Sequence, residues 1–254
     1  MHANRVRLVF VKTECRSLPA KIKLCLCVRN NLHPKARFSN GFLIQTVSLI
    51  SMQSSILLMS FFQKIWALLE QWDTYLFLKI NTVWTNSFLD SVFPWWREAN
   101  AWVPLYLFLL VFMLMNFKKK ALLWLLFVVI TLVLTDQISS TLIKNWVARS
   151  RPCRDPFLME HVRLILNNCS GGYSFPSSHA TNHFGFAVFT FITLKPILQK
   201  WGYLFFVWAA TICYGQVYVG VHFPIDVLCG SLLGCGIGYI TATVYTKKYG
   251  PLTI

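Results

Sequence analysis

The sequence is poor in charged residues, and above all in acidic ones. Charged residues make up 13% of the chain, against about 25% in an average soluble domain. The 24 Lys and Arg residues face 9 Asp and Glu residues. The chain also lacks a Walker phosphate loop, an HExxH motif and zinc-like Cys/His spacing. The low charge content argues against an ordinary soluble domain, and the missing motifs argue against a P-loop protein and a zinc enzyme. We expect no cofactor.

Long apolar runs stand where the charge is missing. Hydrophobic residues make up 56% of the chain and aromatic residues 16%, and the mean hydropathy is +0.52. Several runs approach the ~20 residues that a helix needs to cross a bilayer. They are Ala101–Phe117, Ala121–Leu134 extended to about Ile143, Ser178–Leu194, Gly202–Val219, Ile225–Thr246 and the less apolar Phe38–Gln63. The sequence therefore predicts an all-α, polytopic membrane bundle of about six spanning helices.

The basic residues predict how this bundle is oriented, because short cytoplasmic loops are enriched in Lys and Arg. If Lys118–Lys120 are cytoplasmic and the chain alternates, 16 of the 24 Lys and Arg residues lie on that side with a single acid, Glu14. This bias explains the net charge of +15 without a nucleic-acid partner. We expect an integral protein of a bacterial cytoplasmic membrane, with membrane lipids around it and an oligomeric state that the sequence leaves open.

Residues 1–37 form a basic arm without clear periodicity, ahead of a membrane domain predicted over 38–254. A signal peptide is not expected, because the apolar run starts too late. An alternative is that translation starts at Met52 or Met59, so that part of the arm is never made. A start at Met59 would leave about five spanning helices.

Polar residues concentrate in the stretches predicted to lie outside, at about 64–100, 144–177 and 220–224. The first contains LLEQWDTYLFLKINTVW, which we interpret as an interfacial helix without a chemical role. The second carries Lys144, Arg149, Arg151 and Arg154, on the side that is normally poor in such charge. Basic residues there suggest an anionic ligand, and the arginine fork suits phosphate, although lipid-headgroup contact is an alternative. Lys144 and Arg151 would share one face if the helix continued.

The stretch SFPSSHATNHFGF places serines and a histidine in front of an apolar run. Pro176 suits a first helical turn, and the amides of Ser177, Ser178 and His179 would then point outward as an anion site. Ser177 also suits an N-cap. In the third stretch, GQVYVGVHFPID, an acid four residues after His222 could hold its imidazole in one tautomer, although Asp226 could equally cap a helix.

These residues resemble the three-part signature of the type 2 phosphatidate phosphatase superfamily, which includes membrane lipid-phosphate phosphatases and soluble vanadium haloperoxidases. Lys144 to Arg151-Pro152 resembles its Lys, six residues, Arg-Pro part. Pro176-Ser177-Ser178-His179 resembles Pro-Ser-Gly-His. His222 and Asp226 resemble the end of Ser-Arg, five residues, His, three residues, Asp, so the signature region is 144–226. Gly215-Gln216 departs from Ser-Arg, which removes one cation from the phosphate set.

The resemblance implies a metal-independent phosphatase acting on a lipid phosphate or pyrophosphate at the outer membrane surface. It implies that His222 forms a phosphohistidine, that Asp226 orients His222 and that His179 protonates the leaving oxygen. The phosphate would be held by Lys144, Arg151, Ser177, Ser178 and Gln216, with Arg149 or Arg154 compensating for the missing arginine. Undecaprenyl pyrophosphate, phosphatidylglycerol phosphate, phosphatidate and lipid A phosphate all fit as substrates.

Two alternatives follow from the same residues. The pocket could bind or transport a phospholipid with little turnover because of Gln216, or it could hold vanadate for halide oxidation, against which the spanning helices argue. On the outer side, Cys153 and Cys169 are predicted to form a disulfide, since an oxidising compartment preserves one. Two free thiols are the alternative.

Overall fold

Helices account for the regular structure of the chain, as the apolar runs predict. The computed structural model describes the backbone of residues 40–252 and the side chains of Gln53 and residues 58–252, and it contains no strand within them. The arm at residues 1–37 lies outside this range. Residues 58–254 form one unit, separate from residues 1–57, and the packing described below is that of this unit.

The α-helices follow one another with short π and 3-10 segments between them. The π segments are Lys79–Val83 and Gln137–Ile143, and the 3-10 segments are Ala99–Trp102, Pro152–Arg154 and Gln199–Tyr203. The α-helices are α1 (Asn40–Leu78), α2 (Ser87–Trp96), α3 (Val103–Phe117), α4 (Lys119–Asp136), α5 (Lys144–Val147), α6 (Ser178–Thr193), α7 (Lys195–Leu198), α8 (Leu204–Tyr218) and α9 (Pro224–Tyr249).

Three helical stretches among the described residues are long and apolar enough to cross a membrane: Ala99–Phe117, Lys119–Val147 and Pro224–Tyr249. They correspond to three of the predicted spans. Helices α6 and α8 occupy two more predicted spans but have 16 and 15 residues. Helix α1 is continuous across the predicted boundary between the first span and the interfacial helix. The fold class is thus confirmed, whereas the count of about six spans is not.

Helix α6 is the centre of the bundle and packs against α4, α8 and α9. Its side chains, among them Phe189, form a core with large aromatic residues of the neighbouring helices, including Trp124, Trp208 and Tyr245. A second core lies nearer the polar end of the bundle and contains Phe77, Phe93, Tyr218 and Phe223. Because these residues come from α1, α2, α8 and the start of α9, this second core fixes the elements that carry the polar loops.

Glycines let α6 and α9 approach at backbone distance. A Cβ added to Gly234 would lie 2.2 Å from the Thr181 carbonyl oxygen, and one added to Gly238 would lie 2.4 Å from that of Gly185. This approach matters for the polar end, because the Ser177 N–H donates to the Asp226 carbonyl oxygen at 2.9 Å. Helix packing therefore sets the distance between the second and third motifs.

We predict that Gly234→Ala destabilises the protein by at least about 2 kcal/mol, because an added methyl group must push α6 and α9 apart. Gly236→Ala is the matched control on the same helix, since a Cβ there meets no atom within 4 Å, and alanine favours a helix over glycine. Denaturant titration in detergent compares the two. Equal stability of the two variants would contradict the close approach.

Candidate active site

His222 lies fully inside the polar end of the bundle, where its hydrogen bonds define its tautomer. Its side chain is 2% exposed, and its Nε2 lies 3.1 Å from Nη1 of Arg151. A guanidinium only donates, so Nε2 accepts and the ring proton of the neutral imidazole is on Nδ1. The lone pair needed by a nucleophile is therefore on Nε2.

Asp226 is buried at the first turn of α9 and collects donors from several elements. Its Oδ2 accepts the Phe223 N–H at 2.9 Å and a short hydrogen bond from the Ser174 hydroxyl. The same oxygen lies 3.7 Å from His222 Nδ1, while Ser174 Oγ is 3.4 Å from that nitrogen. Ser174, which the sequence did not single out, thus contacts both members of the predicted pair.

Arg149 neutralises Asp226 rather than serving as a free cation. Its guanidinium donates to Asp226 Oδ1 and to Asp73 Oδ2, both at 2.7 Å, and it lies 4.0 Å from the centre of the Phe223 ring. Asp73 also accepts the Ile225 N–H at 2.8 Å. Two corrections follow. Arg149 is unavailable to replace a missing phosphate ligand, and the stretch expected to lack a chemical role supplies a buried carboxylate to the site.

Arg151 reaches the site by a route different from the one predicted. Helix α5 ends at Val147, and Ala148 adopts a left-handed conformation with φ of 51°, so Lys144 and Arg151 do not share a continuing helical face. Instead the Arg151 guanidinium donates to the carbonyls of Gly171, Gly172 and Val221. Burial lowers the pKa of Arg151 to about 10. Most of its N–H groups donate to other groups of the protein.

The loop that carries Arg151 is further tied by a covalent bond. Cys153 and Cys169 form the disulfide that the sequence predicts, with their Cα atoms 6.0 Å apart. Arg154, the other candidate for compensation, is exposed and donates to the Cys169 carbonyl oxygen at 3.3 Å. This contact directs Arg154 to the disulfide loop.

The start of α6 has the N-terminal geometry expected, with two differences. Ser177 is the N-cap and accepts from the Ala180 N–H at 3.4 Å, so Pro176 precedes the cap and lies outside the first turn. The Ser177 amide is not free, because it donates to Asp226. No residue in the described part of the chain accepts from the amides of Ser178 and His179, which remain as donors for an anion.

Three further predicted residues border this helix start. The Ser178 hydroxyl lies 2.8 Å from Ser140 Oγ, which in turn donates to Asp136. His179 is half-buried, with Lys144 close enough for its charge to act on it. The predicted cations, serines and histidines therefore meet at one end of the bundle.

Gln216 also reaches this end, through a partner that the sequence analysis missed. It is completely buried in α8, and its Oε1 accepts from Arg97 Nε at 3.2 Å. Arg97 follows α2 and is buried as well. The sequence contained one indication of Arg97, because it is the sole arginine between residues 38 and 148. No comparable feature of the sequence singled out Asp73.

No cluster of three or more His, Cys, Asp or Glu residues in the described range is arranged to hold a metal ion. The donors that converge at the site are instead guanidinium, ammonium, imidazole, hydroxyl and backbone N–H groups. Such donors complement a tetrahedral oxyanion, because they supply both positive charge and directed hydrogen bonds.

Residues 121–249 match the model of the PAP2 superfamily. The chain belongs to this superfamily. This PAP2 chain is 32% identical over 165 residues to the lipid A 4'-phosphatase of Bacteroides thetaiotaomicron, covering 64% of this chain and 72% of the relative. It is 31% identical over 152 residues to the undecaprenyl-diphosphatase of Sulfolobus acidocaldarius, covering 59% and 66%.

A solved structure has a similar fold. The crystal structure of Aquifex aeolicus LpxE is 27% identical, covers 67% of this chain and 94% of its own, and superposes with a TM-score of 0.50. The family inferred from the three motifs is therefore confirmed, and so is an integral membrane protein of helical fold.

The state of His222 gives a pH-dependent contribution to stability. Burial lowers its pKa from 6.5 to about 4, so the unfolded chain binds more protons than the folded protein between these values. Lowering the pH through this range should therefore reduce the free energy of unfolding by up to about 1.4 kcal/mol per pH unit. Above pH 6.5, this contribution of His222 should not change with pH.

We predict that His222→Gln reduces this acid-dependent loss of stability, measured by denaturant titration from about pH 7 to pH 4.5. The control is His161→Gln, which removes an exposed histidine. Equal slopes for His222→Gln and the unmodified protein would show that His222 does not titrate in this way.

Proposed function

We propose that the protein hydrolyses a lipid phosphate or lipid pyrophosphate through a phosphohistidine on His222, without a metal ion. The observation that carries this proposal is the His222 ring, whose Nε2 lone pair points to Arg151 while Nδ1–H faces Ser174 and Asp226. A neutral imidazole held this way presents its nucleophilic nitrogen to the cationic end of the site. Membership of the PAP2 superfamily and the phosphatase relatives support the same reaction class.

In the proposed first step, Nε2 of His222 attacks phosphorus, a P–N bond forms and the P–O bond to the lipid breaks. His179 gives its proton to the leaving oxygen. Lys144, Arg151, Ser177, Ser178 and Gln216 are the proposed phosphate ligands, with the Ser178 amide contributing a directed donor. Water then attacks the phosphohistidine and returns a proton to His179, which releases phosphate and restores His222.

A large apolar cavity next to His179 supports a lipid as the substrate. Its volume is about 710 Å³, and its polar part is formed by Asp136, Gln137, Ser178, His179, Asn182 and His183. The rest is lined by apolar residues of α3, α4, α6 and α8, among them Leu109, Trp124, Val128, Phe186 and Trp208. A cavity with one polar end suits a molecule that has a phosphate head and a hydrocarbon body.

The proposed orientation places the site outside the cytoplasm. Lysines lie at the far ends of the helices that build the site: Lys119 begins α4, Lys195 follows α6 and Lys247 lies in the last turn of α9. The positive-inside rule assigns those ends to the cytoplasm. The proposed location is a bacterial cytoplasmic membrane, and the proposed phosphatase domain is 38–254.

We expect the full chain, purified in detergent, to release inorganic phosphate from lipid A, undecaprenyl pyrophosphate, phosphatidate or phosphatidylglycerol phosphate. His222→Ala should lower the rate by at least about a thousandfold, because it removes the nucleophile. It should also abolish an acid-labile, alkali-stable phosphate label on the protein. His161→Ala, at an exposed position, is the control.

Phosphate release that persists in His222→Ala would refute the phosphohistidine mechanism. Binding of lipid phosphates by the unmodified protein without any release would instead support the alternative, a binding or transport protein that keeps the pocket. Bromide oxidation in the presence of vanadate would indicate the haloperoxidase alternative.

The cavity generates a separate prediction about chain length. Val128→Trp should fill part of the cavity and lower kcat/KM for a long-chain lipid phosphate by about tenfold or more, equivalent to two lost methylene contacts. A short water-soluble phosphate ester should be affected less. Val129→Trp is the matched control, since Val129 is adjacent in sequence but 55% exposed. Equal effects on long and short substrates would place the hydrocarbon chain elsewhere.

A further inference from the structure

Gln216 carries a buried donor that the protein itself leaves unused. The side chain is 0% exposed, its Oε1 accepts from Arg97, and its Nε2 has no partner among the described residues. Burying an amide N–H without an acceptor is unfavourable, so such groups are rare in folded proteins. An unpaired N–H group at the polar end of the bundle therefore points to an acceptor supplied by a ligand.

Arg97 offers positive charge at the same place. It is 6% exposed, and its Nη1 donates to Glu98 Oε1 at 2.6 Å. Glu98 is 51% exposed, so solvent screens this ion pair and leaves the arginine poorly neutralised. Within the described residues no acceptor contacts Nη2 of Arg97, which leaves that nitrogen free to donate to an anion.

The neighbouring arginines do not compete for this role. Arg149 is bound between two carboxylates, and Arg154 is exposed and contacts the disulfide loop. Arg151, already a proposed phosphate ligand, donates to three carbonyls and to His222, so it keeps only one N–H group for the phosphate. Arg97 combines burial with unused donors.

Arg97 also lies within electrostatic reach of the proposed catalytic residues. Its positive charge acts on Arg151 and on the His179 ring. Gln216, which Arg97 contacts, also lies beside His222, because its backbone carbonyl oxygen accepts the Val221 N–H at 3.3 Å.

Local packing explains how a residue of the α2–α3 connection reaches α8. A Cβ on Gly215 would lie 3.0 Å from Phe93 Cδ1, so glycine there lets α2 approach α8 closely. The Arg97 N–H donates to the Phe93 carbonyl oxygen at 3.2 Å, which places the guanidinium one helical turn further on, beside Gln216. Gly215 and Gln216, which stand where the family signature has Ser-Arg, thus both accommodate Arg97.

We infer that Arg97 is a phosphate-binding residue that supplies the cation missing at position 216, with Gln216 orienting its guanidinium and donating Nε2–H to the same phosphate. The site then keeps its positive charge, although the arginine comes from the connection between α2 and α3 and not from α8. This inference rests on the proposed function, because it concerns the phosphate of that reaction. The ligand class is a phosphate group, either the lipid headgroup or the free phosphate product.

The test exchanges the two side chains. Arg97→Gln should lower kcat/KM for a lipid phosphate by about 10- to 100-fold and weaken inhibition by orthophosphate, because a charge-assisted hydrogen bond is lost. Gln216→Arg in the same protein should recover most of both losses. Arg163→Gln is the control, since Arg163 is a part-exposed arginine that pairs with Asp90.

Thermal unfolding with and without orthophosphate gives a readout that does not depend on turnover. Orthophosphate should raise the Tm of the unmodified protein and of the exchanged double variant, but raise that of Arg97→Gln much less. If the unmodified protein hydrolyses no lipid phosphate, the proposed function fails, while this pattern of Tm shifts still supports Arg97 as a phosphate ligand.

Two outcomes would overturn the inference. One is an Arg97→Gln protein with unchanged kcat/KM and unchanged stabilisation by orthophosphate. The other is a loss of activity with undiminished orthophosphate stabilisation and no recovery by Gln216→Arg, because that pattern assigns Arg97 to the fold alone.

Discussion

The buried carboxylate of Asp226 is the group on which the polar end of the bundle depends. A buried charge is costly unless it is paired and hydrogen-bonded. Asp226 meets this requirement with the guanidinium of Arg149, the hydroxyl of Ser174 and the amide of Phe223. Its backbone carbonyl also accepts the amide of Ser177. Satisfying this one acid therefore connects the three motifs.

The same requirement extends the site beyond the motifs. Arg149 pairs through its other nitrogen with a second carboxylate, Asp73, near the end of α1. Arg151 in turn fixes His222 and the glycine loop at 171–172. The result is that His222, the proposed nucleophile, is held by one network and a group of cations by another. Such preorganisation is the main means by which enzymes stabilise the charge that develops in phosphoryl transfer.

Close packing in the apolar part of the bundle positions the helices that carry the polar end. Glycines on α9 let its first turn lie against the start of α6, where the Ser178 and His179 amides are. The cavity beside His179 connects the polar end with the apolar interior, so in the proposed function adjacent surfaces would bind the head group and the hydrocarbon chain. The substitution of Gly215-Gln216 for Ser-Arg fits this packing, since it allows α2 to approach α8.

The sequence by itself determined the helical membrane class, the PAP2 family and the roles expected of His222, His179 and Lys144. These follow from apolar length and from motif spacing, which are local properties of the chain. The tertiary structure alone decided that Asp73 pairs with Arg149, that Ser174 contacts His222 and Asp226, that Arg97 contacts Gln216 and that α5 ends before Arg151. Such contacts depend on how helices distant in sequence pack and on which buried charges must be paired, and neither leaves a periodic signal in the sequence.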